Sequence, residues 1–231
     1  MILSVHQPQY IPWIGYFDKI AKSGCFVFLD EVQYKPREFQ NRNKIRTKDG
    51  WIWLSVPVVS KGKGRQRICE LKIDNSFPWQ HKHKGSLQTW YGNTRFFDEI
   101  FQFFESVYKR NWEKLADLNV HITEYILKQL DIRTPIYFES ALDIKNTKTD
   151  RIIEICRKLK VDTYLSGIGG REYLEEEKFK DAQIKLIYQD FHHPVYQQQF
   201  MKDNSDFIPN LSIIDLLFNE GPKAKGIIGA E

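Results

Sequence analysis

Residues 2–20, ILSVHQPQYIPWIGYFDKI, decide the fold because they join a buried strand, a polar turn and the start of a helix. The apolar run Ile2–Val5 predicts a strand, and Gly15–Lys22 has the apolar spacing of a short helix. Cys25–Leu29 predicts a second buried strand after a Ser-Gly turn. Strand, helix and strand in this order form a βαβ unit, and such crossovers produce parallel sheets. The opening of the chain therefore predicts an α/β fold.

The rest of the chain contains further elements of both kinds. We predict strands at Trp51–Val56, Glu70–Ile73, Ile136–Phe138, Thr163–Leu165 and Ile184–Tyr188, and helices at Asp150–Leu159, Arg171–Phe179 and Leu211–Phe218, the last capped by Asn210. From about Phe77 to Leu130 the apolar spacing is helical, and we expect its aromatic side chains to lie mostly in a core rather than on a stacking surface. The prediction is a mostly parallel sheet with flanking helices, in which residues 1–76 and 132–231 form the α/β core and residues 77–131 a helical insertion or subdomain.

Composition limits the classes of function. The chain has 231 residues, and its 34 basic residues exceed its 30 acidic residues by four, an excess too small to require nucleic acid as a partner. Basic residues concentrate between Lys35 and Lys84, where they form either a field that attracts phosphorylated substrates or a solvated loop. Three widely spaced cysteines (Cys25, Cys69 and Cys156) fit reduced thiols. No stretch approaches the ~20 apolar residues that span a bilayer, so we expect a cytoplasmic protein without membrane insertion.

Polar side chains crowd the end of the first predicted strand. His6, Gln7, Gln9 and Tyr10 follow it directly, in a stretch that prolines keep extended. In an open α/β sheet, ligands bind where the carboxyl ends of strands meet the amino ends of helices. We therefore predict that these four residues are catalytic, although a lone histidine at a strand end is more often a structural group.

The second predicted strand ends in a similar way. Asp30 follows it and is predicted to be catalytic, and a loop then continues with amide and guanidinium groups that can read hydroxyls and clamp phosphates. The predicted substrate-binding residues are Gln33, Tyr34, Asn41, Arg42 and Asn43. A hydrogen-bonded network that only holds the loop in place explains the same residues equally well.

A glycine-rich turn follows a later strand. Residues 164–174, YLSGIGGREYL, predict a strand, a turn and a helix, so that backbone amides, the helix amino end and a guanidinium would together bind an anion. The predicted cofactor-binding residues are Ser166, Gly167, Gly169, Gly170 and Arg171. The turn lacks both the GxGxxG spacing and the P-loop lysine, and a plain tight turn is the alternative.

The remaining residue patterns predict neither a metal site nor a known catalytic triad. His81 and His83 are two residues apart, so they do not share a helix face, and no ligand partner stands nearby; we expect no metal site. No local signature of Ser/His/Asp or Cys/His catalysis is present.

Several motifs together resemble the WbqC-like family. They are HQPQYIPWIGYFDKI, FLDEVQYKPREFQNRNKIRT, WLSVPV, the YLSG turn with REYL, and FIPNLSIIDLLFNEGP near the end of the sequence. The resemblance implies a role in bacterial O-antigen or related surface-polysaccharide biosynthesis, with glycine or another acyl group transferred to a sugar. It places the chain in a pathway more than in a reaction class.

A second similarity concerns mechanism. A strand, His6, a loop, Gly15 and a helix, with a late SG..GREYL segment, are similar to the arrangement in nucleotidyltransferase-like (HUP-like) ligases such as pantothenate synthetase. That similarity implies ATP as the cofactor, which adenylates a carboxylate before an amine attacks. Tyr16 stands where the second histidine of an HxGH motif would be, and the spacing from His6 to Gly15 is too long, so activation by a histidine pair is not supported.

The leading hypothesis is an enzyme that transfers an acyl or aminoacyl group to an amino- or deoxysugar or a nucleotide-sugar, with ATP as the activator. His6 would act as the base or as a phosphate contact. One alternative is a non-catalytic protein that binds a nucleotide-sugar or serves as a scaffold in the same pathway. A metal-independent glycosyltransferase is the other.

Overall fold

A computed structural model describes residues 1–229 of the chain. The strands are β1 (Ile2–His6), β2 (Cys25–Phe28), β3 (Arg42–Thr47), β4 (Gly50–Ser55), β5 (Ile136–Phe138), β6 (Thr163–Ser166) and β7 (Lys185–Tyr188). Five of them form one sheet in the order β5-β2-β1-β6-β7, and each neighbouring pair is parallel. The predicted α/β fold with a mostly parallel sheet is confirmed. The order is that of a doubly wound sheet, and its direction reverses between β1 and β6.

Helices cover both faces of the sheet. They are α1 (Ile14–Ala21), α2 (Trp79–Tyr91), α3 (Phe97–Lys109), α4 (Leu115–Gln129), α5 (Lys148–Lys158), α6 (Glu176–Asp181), α7 (Ile213–Glu220) and α8 (Ala224–Ile227). Side chains alternate along each strand, so Cys25 and Val27 join the buried cluster that includes α5 and α6, whereas Phe26 and Phe28 join the cluster that includes α1 to α4. The strands therefore read as continuous apolar runs because both faces are buried. Within residues 1–229 no helix has the length and apolar character needed to cross a membrane.

The helical region belongs to the larger of the two cores. Tyr91, Phe104 and Trp112 are buried in the same cluster as Phe26 and Phe28 of the sheet. The expectation that most aromatic side chains of this region are core residues is confirmed. The division of the chain into a core at 1–76 and 132–231 and an insertion at 77–131 stays a prediction.

The segment predicted as a polar loop after residue 40 contains a strand. β3 pairs antiparallel with β4, and the two form a separate hairpin outside the parallel sheet. Asn43 and Ile45 face the core, whereas Arg42 and Lys44 face outward, so the alternation of a half-buried strand is present. The strand was predicted as a loop because its sequence is rich in amides, and asparagine is depleted in strands. Asn43 is buried here because its side chain is hydrogen-bonded.

Three other predicted elements are wrong. The strand at Glu70–Ile73 is a 3₁₀ turn at Ile68–Glu70 followed by isolated bridges. The helix at Arg171–Phe179 is a 3₁₀ turn at Ile168–Glu172 and then the short α6, which begins only at Glu176. The last long helix is capped by the Ser212 hydroxyl, which accepts from the Ile214 amide, and not by Asn210.

A buried polar cluster connects helix α7 to the core. The Asp215 carboxylate on α7 accepts hydrogen bonds from the hydroxyls of Tyr91 (2.9 Å) and Tyr196 (2.8 Å). Tyr91 in turn accepts from the backbone amide of Arg46 on β3. Burial raises the pKa of Asp215 to about 6. The cluster therefore joins α2, α7 and the hairpin through one ionisable group.

Replacing this carboxylate should change how stability depends on pH. The folded protein holds the Asp215 proton up to about pH 6, whereas the unfolded chain releases it near its ordinary value of 3.8. Between these values the folded state binds more protons, so the free energy of unfolding falls as pH rises. Relative to Asp215→Asn, the wild type should lose on the order of 1–3 kcal/mol across this window, measured by urea unfolding. Parallel curves for the two proteins would contradict the assignment.

Candidate functional site

A cavity of about 530 Å³ lies at the carboxyl edge of the sheet. Residues that follow β1 and β6 line it, and these are the strands between which the strand order reverses. Reversal sends the two following connections to opposite faces of the sheet, which leaves a crevice between them. Of the predicted site residues, the structure brings His6, Gln7, Ser166, Gly167, Gly169 and Gly170 together in this cavity.

His6 is a neutral base in the cavity wall. Its Nδ1 lies 3.2 Å from the carbonyl oxygen of Gln7, which can only accept, so Nδ1 carries the proton and Nε2 carries the lone pair. Burial lowers the pKa of His6 well below 6.5, and the charge of Lys19 lowers this pKa further. The ring packs against Tyr16 at 4.8 Å between centroids. The imidazole is therefore held in one tautomer and is uncharged at neutral pH.

The Gln7 side chain is oriented by a second amide. Gln40 Oε1 accepts from the backbone amide of Lys35 at 3.0 Å, so Gln40 presents its Nε2 to Gln7 Oε1 at 2.8 Å. The network thus fixes which end of each amide is the oxygen. It leaves the amide nitrogen of Gln7, a cavity-lining residue, as a donor for a ligand.

Lys19 is a site residue that the sequence analysis missed. It lies on α1, is only 3% exposed, and lines the cavity. Its Nζ donates to the carbonyl oxygen of Val5 at 3.0 Å, and burial lowers the pKa of this amine to about 7. The Gly167 turn approaches Nζ to 3.9 Å, measured from the position that a Cβ would take. No local sequence signal distinguishes it from a surface lysine, because one of its neighbours is the turn at Gly167, far along the chain.

Basic side chains dominate the charge of the cavity. Lys19, Lys35, Lys148 and Arg151 line it, and no aspartate or glutamate does so among the described residues. Arg151 Nε lies 3.1 Å from the buried carboxylate of Glu139 behind the wall, so its charge is partly compensated. The three lysines form no ion pair within residues 1–229. Such a wall favours an anionic ligand.

The glycine turn closes one side of the cavity without a helix end. A Cβ at Gly170 would lie 2.0 Å from the Ser166 hydroxyl oxygen and 3.0 Å from Leu174 Cδ1, so a larger residue here would force both side chains to move. Because α6 starts only at Glu176, the predicted helix does not begin directly after the turn, and the first turn of α6 carries two glutamates. Arg171 is exposed and stacks over Tyr188 at 4.2 Å, outside the cavity lining. The turn therefore has neither the adjoining helix amino end nor the guanidinium that the predicted anion site requires.

Three of the residues predicted to be catalytic lie elsewhere. The Tyr10 hydroxyl is buried against His83 Nδ1 (2.8 Å) and the Tyr108 hydroxyl (2.9 Å), and Gln9 is buried outside the cavity lining. Both Asp30 carboxylate oxygens accept from Ser140, from its amide at 3.0 Å and its hydroxyl at 2.6 Å. Asp30 lines a second cavity of about 650 Å³ on the other side of β2. Its neighbour Leu29 lines the first.

The predicted substrate-binding residues hold the hairpin in place. Asn41 Nδ2 donates to the Val56 carbonyl (2.8 Å), and Asn43 Nδ2 donates to the Ile11 carbonyl (2.7 Å). Arg42 stacks over Trp53 at 4.1 Å and donates to the Arg37 carbonyl. Gln33 pairs in a bridge with Arg67, and Tyr34 is buried. None of the five lines the first cavity, so their contacts match the alternative of a loop-holding network.

Acidic, cysteine and histidine side chains are the usual metal ligands in proteins. Within the part of the chain that the structure describes, no three of them are close enough to hold a metal ion. The polar groups of the sheet-edge cavity include an imidazole, an amide, a hydroxyl, amines and a guanidinium, and these suit proton transfer and anion binding.

Comparisons with known proteins give the same family as the motifs. A family model described as the WbqC-like protein family matches residues 7–227. The chain is 33% identical over 224 residues to the uncharacterized protein Rv1507c of Mycobacterium tuberculosis (strain ATCC 25618 / H37Rv), with 96% of this chain and 95% of the relative covered. No solved structure matches the chain.

The buried amine of Lys19 should be detectable in the pH dependence of stability. Its pKa is about 7 in the folded protein and about 10.5 in the unfolded chain. Between these values the unfolded chain binds more protons, so the free energy of unfolding rises with pH. Relative to Lys19→Met, the wild type should gain on the order of 1–3 kcal/mol from pH 7 to 10 in urea unfolding. The exposed Lys185→Gln is the control and should run parallel to the wild type. A wild-type curve parallel to that of Lys19→Met would show that the amine is ordinary.

Proposed function

The chain belongs to the WbqC-like protein family, and from that premise we propose that it is an enzyme that binds a phosphate-bearing small molecule in the cavity between β1 and β6. One observation carries the proposal: a neutral, oriented histidine stands in a wall whose charged side chains are all basic. A phosphate needs the cations, and a proton-transfer step needs the neutral imidazole. Both requirements meet in one crevice.

Each group in the wall has a role in this proposal. Lys19, Lys35 and Lys148 neutralise the phosphate charge, and Arg151 contributes in part because Glu139 already pairs with it. The free amide nitrogen of Gln7 positions a hydroxyl or a carbonyl. His6 accepts a proton at Nε2, the ring atom that keeps its lone pair.

The finer proposal is the transfer of an acyl or aminoacyl group to an amino- or deoxysugar carried on a nucleotide. The sugar amine forms a bond to the acyl carbon, the leaving group departs with its bonding electron pair, and the amine proton goes to His6 Nε2. A phosphate leaving group would be stabilised by the lysines, which fits ATP as the activator of the acyl group. We propose that this reaction serves bacterial surface-polysaccharide (O-antigen) biosynthesis in the cytoplasm. The family membership and the basic wall support this reading.

Ligand binding to the cavity can be tested by thermal unfolding with ATP, CTP, UDP-N-acetylglucosamine and inorganic phosphate as probes. A ligand at about 100 times its dissociation constant adds about 2.7 kcal/mol to stability, which is a shift of several degrees. We expect a shift with at least one nucleotide in the wild type and in Lys185→Gln. The shift should be strongly reduced in the double variant Lys19→Gln/Lys148→Gln, which removes two of the three amines from the wall. Equal shifts in all three proteins would place the ligand elsewhere.

Catalysis is tested separately with His6→Gln. Removing a general base lowers turnover by roughly 100- to 10,000-fold, while the lysines still bind the anion. We therefore expect His6→Gln to keep the thermal shift of the wild type and to lose product formation, followed by mass spectrometry of the sugar nucleotide. If the wild type itself binds nucleotide-sugars and forms no product with any activated acyl donor, the chain is a binding protein of the pathway.

A further inference from the structure

The outward face of the β3–β4 hairpin combines aromatic and basic side chains. Arg42 and Lys44 on β3 and Trp51 and Trp53 on β4 face the same side, because each lies at an outward position of its strand. Trp51 is 43% exposed. Neither Arg42 nor Lys44 forms an ion pair within residues 1–229. We call these four side chains the hairpin strip.

The cations of the hairpin strip lie on the faces of the indole rings. Arg42 Cζ lies 4.1 Å from the centroid of Trp53, and Lys44 Nζ lies 4.5 Å from the centroid of Trp51 and 5.5 Å from that of Trp53. The two indoles meet edge to face at 5.5 Å. Cation–π contacts of this kind orient both partners. The strip is therefore an ordered surface in which cations and aromatic rings alternate.

More exposed apolar and basic groups surround the hairpin strip. Phe77, 55% exposed, shares a groove of about 380 Å³ with Trp53 and Lys82. The exposed loop after β4 carries Lys61, Lys63 and Arg65. Five residues lie between Lys61 and the end of β4 at Ser55, so Lys61 lies within about 20 Å of this strand end. An exposed aromatic ring and a lysine thus lie beside Trp53, and a basic loop follows β4 closely in the chain.

These observations favour an anionic lipid bilayer over other polyanions. Single-stranded nucleic acid binds by stacking bases on open ring faces, but here Arg42 and Lys44 already cover faces of the two indoles. The headgroup layer of a bilayer is where tryptophan is enriched and where lysine is attracted to anionic lipid. A partly exposed indole with a cation beside it suits both properties of this layer. We propose that the hairpin strip docks the protein on the surface of an anionic membrane. The lipid contact is peripheral and goes beyond the proposed enzymatic function.

Vesicle binding tests this docking surface with the full chain. The probes are vesicles of phosphatidylcholine alone and vesicles with about 30 mol % phosphatidylglycerol, separated from free protein by sedimentation. The protein should bind the anionic vesicles at about 50 mM NaCl and be released at about 500 mM NaCl, because screening weakens the attraction. Lys44→Gln should lower the partition coefficient about fivefold, the factor that corresponds to about 1 kcal/mol per cation. Trp51→Gln should lower it several-fold and reduce the quenching of tryptophan fluorescence by brominated lipid.

Matched controls separate a specific surface from general stickiness. Tyr137→Gln replaces another exposed aromatic residue, on the edge strand β5, and Lys185→Gln replaces another exposed lysine; both should bind like the wild type. Circular dichroism checks that all variants are folded. Equal binding to neutral and anionic vesicles, or equal binding by the strip and control variants, would overturn the proposal. Binding of a single-stranded RNA oligonucleotide without binding of vesicles would also overturn it, in favour of nucleic acid.

Discussion

The pairing of β1 with both β2 and β6 is the constraint on which the rest of the structure depends. All three strands run in the same direction, so their carboxyl ends lie at one edge. Because the strand order reverses at β1, the chain leaves β1 and β6 toward different faces and a crevice stays open between them. His6 is the last residue of β1, and the glycine turn begins at the last residue of β6. The cavity thus follows from the topology before any side chain is considered.

The chemistry of the cavity follows from what the topology buries. Lys19 lies on α1 beneath this crevice and loses most of its contact with water. The free energy cost of burying its charged form lowers its pKa. The charge of Lys19 in turn disfavours protonation of His6 and adds to the effect of burial on the pKa of that imidazole. Groups with strongly shifted pKa values concentrate at functional sites. An anionic ligand would be a favourable partner for the Lys19 amine.

The sequence predicted which residues lie at the carboxyl edge of the sheet. It did not predict on which side of a strand each of these residues lies. His6, Gln7 and the residues of the glycine turn could be found because a strand's carboxyl end is visible as the point where an apolar run stops. Asp30 was placed in the same site for the same reason, but successive residues leave a strand toward opposite sides, so Leu29 lines the cavity and Asp30 does not. Which of these two residues lines the cavity depends on the strand order, and the strand order is set by contacts between residues far apart in the sequence. The same holds for Lys19, which lies beside the distant turn at Gly167, and for Asn43, whose amide donates a hydrogen bond to the Ile11 carbonyl.

The lowered pKa of Lys19 also has a consequence for the chemical durability of the protein. An amine that is unprotonated near neutral pH is a nucleophile, and activated acyl compounds or cyanate modify such amines irreversibly. An anion held beside the amine raises its pKa and returns the proton, which removes the lone pair from reaction. An occupied cavity therefore shields the same nitrogen that an empty cavity leaves open to chemical modification.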